Sequence, residues 1–256
     1  VPAPLHLALA GQFPEATWLL LPHEMGMIAE SAAELLRKNL ERVTALLVGP
    51  GLGSEDTTAA FIAQLLSGEQ SAHQAASLGF LTQAEAAPAE KVALPPLVVD
   101  ADGLRLMARV KNWWKYLPAG SVLTPHPGEM SALSGLTVEQ IQADRLGIAR
   151  QYAHEWKTTI ILKGALSVIA VPDGRAFIIP VATAALAKAG SGDVLAGLEA
   201  GLLAQGRPAL EAAVAGAWIH AQAGLEAAEG LGVTASVLAS DVIDAVPRVL
   251  WALQFE

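Results

Sequence analysis

Ala189-Gly190-Ser191-Gly192-Asp193-Val194-Leu195-Ala196-Gly197 sets two glycines and a carboxylate where an apolar helix begins. Val194, Leu195, Leu198, Leu202 and Leu203 recur at helical spacing, so the helix is predicted to start near Asp193 with its first backbone N–H groups unbonded. Gly190 and Gly192 keep Cβ atoms out of a ligand's way and the helix dipole favours an anion, so the turn reads as a phosphate site. Phosphate repels a carboxylate there unless a metal ion or a transferable proton gives it a use, and both are ordinary in phosphoryl transfer. The plainer reading of the same residues is a glycine turn with Ser191 or Asp193 as the N-cap.

Composition narrows the classes around that stretch. A chain of 256 residues, 53% of them hydrophobic, buries one large core, and a single α/β-sized domain is expected. Cysteine is absent, which removes disulfides, thiolate zinc sites and cysteine nucleophiles and fits a reducing cytoplasm. A net charge of −9 leaves no basic field for nucleic acid, so bound phosphates must be met by local amides and a few cations. No apolar run reaches membrane length and the first residues lack a signal-peptide pattern, so a soluble, cytoplasmic protein with no membrane partner is expected.

Upstream, Val1-Pro2-Ala3-Pro4 reads as the middle of a loop, as though sequence preceding it were missing, and Ala16 to Leu21 reads as a strand between prolines. Ala29 to Leu40 is amphipathic at helical spacing. Ala45 to Val48 is a buried strand running into Gly49-Pro50-Gly51-Leu52-Gly53, with a helix from Thr57 to Leu66. The glycines lack the Gly-Lys-Ser/Thr of a Walker loop; they read as a backbone turn or as a platform for close ligand approach. Residues 67 to 95 carry little periodicity and read as a mobile excursion, with His73 a solvated side chain.

Leu97-Val98-Val99 is a short strand ending in Asp100 and Asp102, followed by a helix from Leu104 to Val110. The two acids suit a helix cap or a place near a metal ion or a substrate hydroxyl. Trp113 and Trp114 read as packing. Val122-Leu123 leads into Thr124-Pro125-His126-Pro127-Gly128-Glu129, whose prolines hold His126 out of a helix, as a structural residue or as a ligand contact. Thr159 to Leu162 is a strand ending in Lys163-Gly164, where Lys163 reads either as a surface cation or as a point charge for phosphate. A hairpin follows across Pro172 to Arg175, then helices over Ala209 to Ala228 and Val242 to Leu253, the second capped by Ser240-Asp241 and interrupted by Pro247. Several strands thus end in loops rich in Gly, Asp, His or Lys, and in an open parallel sheet those ends share one side, where ligands bind.

The segments VGPGLG (48–53), VVDADGL (98–104), LTPHPGEM (123–130), ILKGALSVIA (161–170) and AGSGDVLAGLEAGLLAQG (189–206) together resemble the NAD(P)H-hydrate dehydratase family, a branch of the ribokinase-like superfamily. The pairing of TPHPGE with GSGDVLAG is far more specific than either piece, and family-like Thr234-Ala235-Ser236 and Ser240-Asp241 extend the match toward the end. The resemblance implies a three-layer αβα fold with a mainly parallel central sheet. It implies an enzyme that uses ADP, or less commonly ATP, with Mg²⁺ to dehydrate hydrated NADH or NADPH and release phosphate. By the same resemblance Asp193 is the base that activates the substrate hydroxyl, beside an anion hole at Gly190, Ser191 and Gly192. Lys163, Gly164, Ala165, Leu166 and Ser167 hold the nucleotide, Gly51, Gly53 and His126 contact the hydrated dinucleotide, and Asp100, Asp102 and Glu129 support the site; the metal ligands are left open.

Relatives carry an upstream strand, glycine loop and Ala-rich helix with no counterpart here. The resemblance therefore implies an N-terminally truncated fold, inactive alone or covered by assembly into a homo-oligomer, and suits a portion cut from a fusion with an epimerase. Lys188 and Ala189 depart from the small or hydroxyl residues frequent at their positions, and residues 67 to 95 exceed the usual connection. The alternatives carried forward are a small-molecule kinase of the same superfamily and a non-catalytic nucleotide-binding fragment.

Overall fold

Proline near a chain start can open a helix, because the N–H it lacks is one the first turn does not use. That is the outcome at residues 1–4: where a loop is expected, helix α1 (Ala3–Ala10) begins directly after Pro2, with a second proline in its first turn. The computed structural model describes residues 1–68 and 93–254. Most of the predicted excursion over 67–95, including His73, lies outside the described residues.

The described chain forms two units, Val1–Val43 with Leu52–Leu94 and Thr44–Gly51 with Pro95–Glu256. In the first, the strand expected over Ala16–Leu21 does not form; an extended segment makes one bridge, from Leu21 to Pro2. A strand needs a neighbour to satisfy its backbone, and this segment finds one for a single residue. The strands of this unit are a small hairpin the sequence did not announce, β1 (His23–Glu24) and β2 (Met27–Ile28). Met25 and Gly26 both have positive φ, as a two-residue type I′ turn requires. Helices α2 (Ala32–Lys38) and α3 (Asp56–Ser67) pack together, and the Arg37 guanidinium donates to the carbonyls of Leu65 and Leu66 at the end of α3.

The second unit holds a six-stranded sheet of β3 (Leu46–Val48), β4 (Leu97–Val99), β5 (Val122–Leu123), β6 (Thr159–Leu162), β7 (Val168–Ala170) and β8 (Ala176–Ile178), in that spatial order. The first four are parallel and the last two form the predicted antiparallel hairpin, so the mainly parallel sheet expected from the resemblance is present. Parallel neighbours need crossovers: α4 (Ala101–Met107) joins β4 to β5, and α5 (Pro127–Ser134), α6 (Val138–Ala143) and α7 (Arg145–Trp156) join β5 to β6. Helix α4 starts and ends about three residues earlier than its pattern predicts.

Three helices follow the hairpin: α8 (Ser191–Ala204), α9 (Ala209–Leu231) and α10 (Ala239–Ala252). Side chains alternate across a sheet, so Val98, Val122, Ile161 and Ile169 share one face and join Leu195, Ala196, Ala213 and Ala217 of α8 and α9 in a core. Residues of the other parity face the opposite layer, where α7 packs on β6 and β7. Trp113 packs edge-on to Trp156 at 4.6 Å, as a core residue rather than a stacking platform. Ser240 lies inside α10 and not at its cap; Asp241 alone reaches back, accepting from the Leu238 N–H at 2.8 Å, and the helix continues through Pro247. Among the described residues no helix is long and apolar enough to cross a membrane.

Between α8 and α9 lies a polar residue that the apolar pattern hides. Glu199 has no exposure, neither of its carboxyl oxygens has a hydrogen-bond partner, and the carboxyl rests against Gly216. Burial raises its pKa well above the ordinary 4.5, so the native protein keeps a proton there that the unfolded chain releases. Stability from this group is therefore greatest at acid pH and is lost as pH rises above the unfolded value. Glu199→Leu removes an unsatisfied buried group and is expected to stabilise the fold at neutral pH by about 1–3 kcal/mol. The gain should be larger at about pH 8 than at about pH 5, read from urea midpoints; an equal shift at both would show that the proton is not held.

Candidate active site

Parallel register places the ends of β4, β5 and β6 side by side, and their next residues interlock. Asp100, 1% exposed, accepts through Oδ1 from the Thr124 hydroxyl at 2.7 Å and the Lys163 ammonium at 2.5 Å. Its Oδ2 is buried with no partner and lies near Gly192. Asp100 stands at the N-cap position of α4 but makes no side-chain cap; its carboxylate ties neighbouring strands instead. Lys163 is thus not a surface cation: its Nζ lies between Asp100 and, at 3.7 Å, Glu129 Oε2.

The prolines around His126 deliver it as the N-cap of α5. Its Nδ1 accepts from the Gly128 N–H at 2.9 Å and the Glu129 N–H at 3.4 Å, while Glu129 Oε2 accepts from the His126 N–H at 2.9 Å. An accepting Nδ1 puts the proton of the neutral ring on Nε2, which faces Glu129 Oε1 at 3.2 Å. Both nitrogens are engaged within the start of α5. Burial opposes ionisation of Glu129, but the His126 hydrogen bonds and the charge of Lys163 outweigh it and hold its pKa below the ordinary carboxylate value.

The α8 N-terminus shows that neither Ser191 nor Asp193 is the N-cap. That position is Gly190, and the Ser191 hydroxyl donates back to the carbonyls of Leu186 (2.7 Å) and Lys188 (3.0 Å). Among the described residues the N–H groups of Gly192 and Asp193 make no hydrogen bond, as first-turn amides without a cap should not. In the loop after β6, the N–H groups of Gly164 and Ala165 are likewise unpartnered. All four residues line one cleft of about 740 Å³.

Asp193 is exposed into this cleft. Partial burial and then the charge of Asp100 raise its pKa, with a smaller push from Asp102, against the pull of Lys163. The same cleft brings together Asp100, His126, Lys163, Ser167, Gly190 and Ser191. Apolar residues line it as well, among them Ile179, Val181, Leu186, Leu195 and Ala217. Leu166, Asp102, Glu129 and Gly51 are not in the lining; Glu129 touches it through Lys163 and His126, and Gly53 belongs to the other unit.

Three functional candidates have no local sequence signal. Thr124 was one polar residue in a proline-rich run until Asp100 arrived beside it. Arg145 holds the loop after β6 through the carbonyls of Leu162 and Ala165. His220, mid-helix in α9, lines the cleft with its Nε2 buried and unpartnered; burial lowers its pKa to about 4, against a backbone hydrogen bond with Ser191 and with help from Lys163, and it stays neutral.

Comparison with known proteins places the chain in a family. A family profile described as NAD(P)H-hydrate dehydratase matches residues 13–248. The bifunctional NAD(P)H-hydrate repair enzyme Nnr of Moorella thermoacetica is 38% identical across 100% of this chain and 44% of its own, so this chain spans less than half that relative's length. The ADP-dependent (S)-NAD(P)H-hydrate dehydratase of Xanthomonas campestris is 31% identical over 96% of this chain and 78% of its own. The crystal structure of the ADP/ATP-dependent NAD(P)H-hydrate dehydratase from Bacillus subtilis, co-crystallised with ATP and Mg²⁺, superposes with a TM-score of 0.71 at 25% identity, over 97% of this chain and 76% of that one. With a glycine-flanked carboxylate at the head of α8, a mainly parallel sheet and a family match over nearly its whole length, the chain belongs to the NAD(P)H-hydrate dehydratase family.

Proposed function

We propose that this chain uses ADP or ATP to dehydrate hydrated NADH or NADPH, with Asp193 as the base. One observation carries the reading: a carboxylate of raised pKa stands in the same cleft as two pairs of unpartnered backbone N–H groups. The amides of Gly164, Ala165, Gly192 and Asp193 supply donors for phosphate oxygens without adding net charge. The apolar lining at Ile179, Val181 and Leu186 suits the nucleotide base. Asp193, made more basic than an ordinary aspartate by partial burial and the charge of Asp100, takes the proton from the ring hydroxyl of the hydrate as its oxygen attacks the terminal phosphorus. The nucleotide leaves one phosphate shorter. Elimination of the phosphate ester, with loss of a proton from the ring, then regenerates the reduced nicotinamide and releases inorganic phosphate.

The residues fit a Mg²⁺ ion held mainly through phosphates. Asp100 Oδ2 is a buried carboxylate oxygen without a partner, Asp193 stands near it, and among the described residues no three acidic or histidine side chains converge as a dedicated cage. When bound, the ion would neutralise phosphate charge. His126, with both nitrogens engaged within the start of α5, lines the cleft.

The test is direct. Protein incubated with hydrated NADH, ADP or ATP, and Mg²⁺ should restore the absorbance of reduced nicotinamide and release one phosphate per cofactor repaired. Phosphoryl transfer to a sugar or vitamin alcohol without repair would make the chain a kinase of the wider superfamily, and nucleotide binding without either reaction would make it a non-catalytic module.

A further inference from the structure

Arg145 opens α7 and belongs to none of the motifs that carry the family match, yet it grips the loop that lines the cleft. Its Nη1 donates to the Ala165 carbonyl at 2.7 Å and its Nη2 to the Leu162 carbonyl at 2.9 Å, so one guanidinium brackets Lys163 and Gly164. The fork lies flat on Gly164: a Cβ there would stand 2.9 Å from both terminal nitrogens, and φ is +149°. Any other residue at 164 would push the guanidinium away.

Backbone geometry gives this grip a consequence. In a peptide plane the carbonyl and the following N–H point in opposite directions. With the Leu162 and Ala165 carbonyls drawn to Arg145, the N–H groups of Lys163 and Leu166 turn away from it and donate to Pro125 and Val181. The peptides between them carry the Gly164 and Ala165 N–H groups, which are unpartnered and belong to residues that line the cleft. Among the described residues no carboxylate lies within ion-pair distance of Arg145, and its Nε is buried without a partner, so its positive charge sits against the loop's carbonyls rather than in an ion pair.

We infer that Arg145 is a positioning residue for the nucleotide: it holds the loop over residues 163–167 so that the Gly164 and Ala165 amides meet phosphate oxygens, and it backs them with a positive charge. It acts through the backbone and does not touch the ligand. The inference rests on the reading of the cleft as a nucleotide site. Lysine keeps the charge but lacks a fork able to span two carbonyls three residues apart, and methionine removes both.

The experiment compares the wild-type chain with Arg145→Lys and Arg145→Met, by calorimetric titration with ADP, steady-state kinetics and thermal melting. The expected result is a Kd and KM for ADP raised about tenfold in the lysine variant and further in the methionine variant, since hydrogen bonds to charged groups are the stronger kind. The KM for the hydrated cofactor should stay within about twofold, and the lysine variant should melt close to wild type. Unchanged ADP affinity in both variants overturns the inference while leaving the nucleotide reading intact. A uniform fall in every kinetic constant together with the melting temperature also overturns it, assigning Arg145 to stability alone. A wild-type chain that does not bind ADP removes the nucleotide reading, and this inference with it.

Discussion

Asp193→Asn is expected to lower kcat by about 10²- to 10⁴-fold while changing ADP affinity by only a few-fold. Asparagine keeps the size of the side chain and the backbone N–H at 193, so the donors at the head of α8 survive; what is lost is a group able to accept a proton. Aspartate is suited to the task here because partial burial and the neighbouring Asp100 raise its pKa, and Lys163 restrains that rise. A raised pKa means that the carboxylate gains its proton at a higher pH than an ordinary aspartate does. The acid limb of the kcat profile should therefore fall off above the ordinary value of 3.8. Single-turnover measurement of phosphate release across acid pH would check both statements, and undiminished turnover in the asparagine variant would remove Asp193 from the role of base.

Gly49→Ala should be the most damaging small substitution in the sheet, costing about 3 kcal/mol or more. A Cβ at Gly49 would collide with the backbone carbonyl of Asp100, which cannot yield as a flexible side chain can, and φ of +141° adds strain for any residue but glycine. The neighbouring strands are tied at this point by the hydrogen bond from the Asp100 N–H to the Val48 carbonyl. Displacing Asp100 also displaces the carboxylate that holds Thr124 and Lys163, so activity should fall along with stability. A urea midpoint and a kcat near wild type would show that the backbone relaxes without cost. Alanine at Gly51, where a Cβ meets nothing within 4 Å, provides the control, since it carries the strain of positive φ without the collision.

These two sites mark how far the sequence could be read. The start of α8 was legible because its cause is local: glycines that free the backbone, a carboxylate, then leucines at helical spacing. The short apolar runs of the sheet were legible for the same reason, and so was the gathering of their ends, since parallel strands have only one carboxyl side. Local pattern misleads where it is weak. Ala16 to Leu21 has strand-like composition but pairs at a single bridge, from Leu21 to Pro2, and Val1 to Pro4 has the proline content of a loop although proline is well placed in a first helical turn.

Ser191 shows how a correct motif can carry an incorrect role. Hydroxyl residues at helix starts usually cap, yet this one reaches back to Leu186 and Lys188 and leaves the amides of Gly192 and Asp193 open. His126 shows the reverse, a candidate ligand residue whose nitrogens are consumed by its own helix cap.

By itself the sequence determined the strands of the main sheet, most of the helices around it, the glycine-flanked helix start at Gly190 to Asp193 and the family, because each follows from residues a few positions apart or from motifs read in order. Only the tertiary structure decided that Lys163 is committed to Asp100, 63 residues away, that Gly49 is required by the Asp100 carbonyl and that Arg145 shapes the loop at Gly164. Hydrogen-bond satisfaction, burial and the pKa values that follow from them depend on groups the sheet brings together from distant parts of the chain, and no local pattern encodes those neighbours.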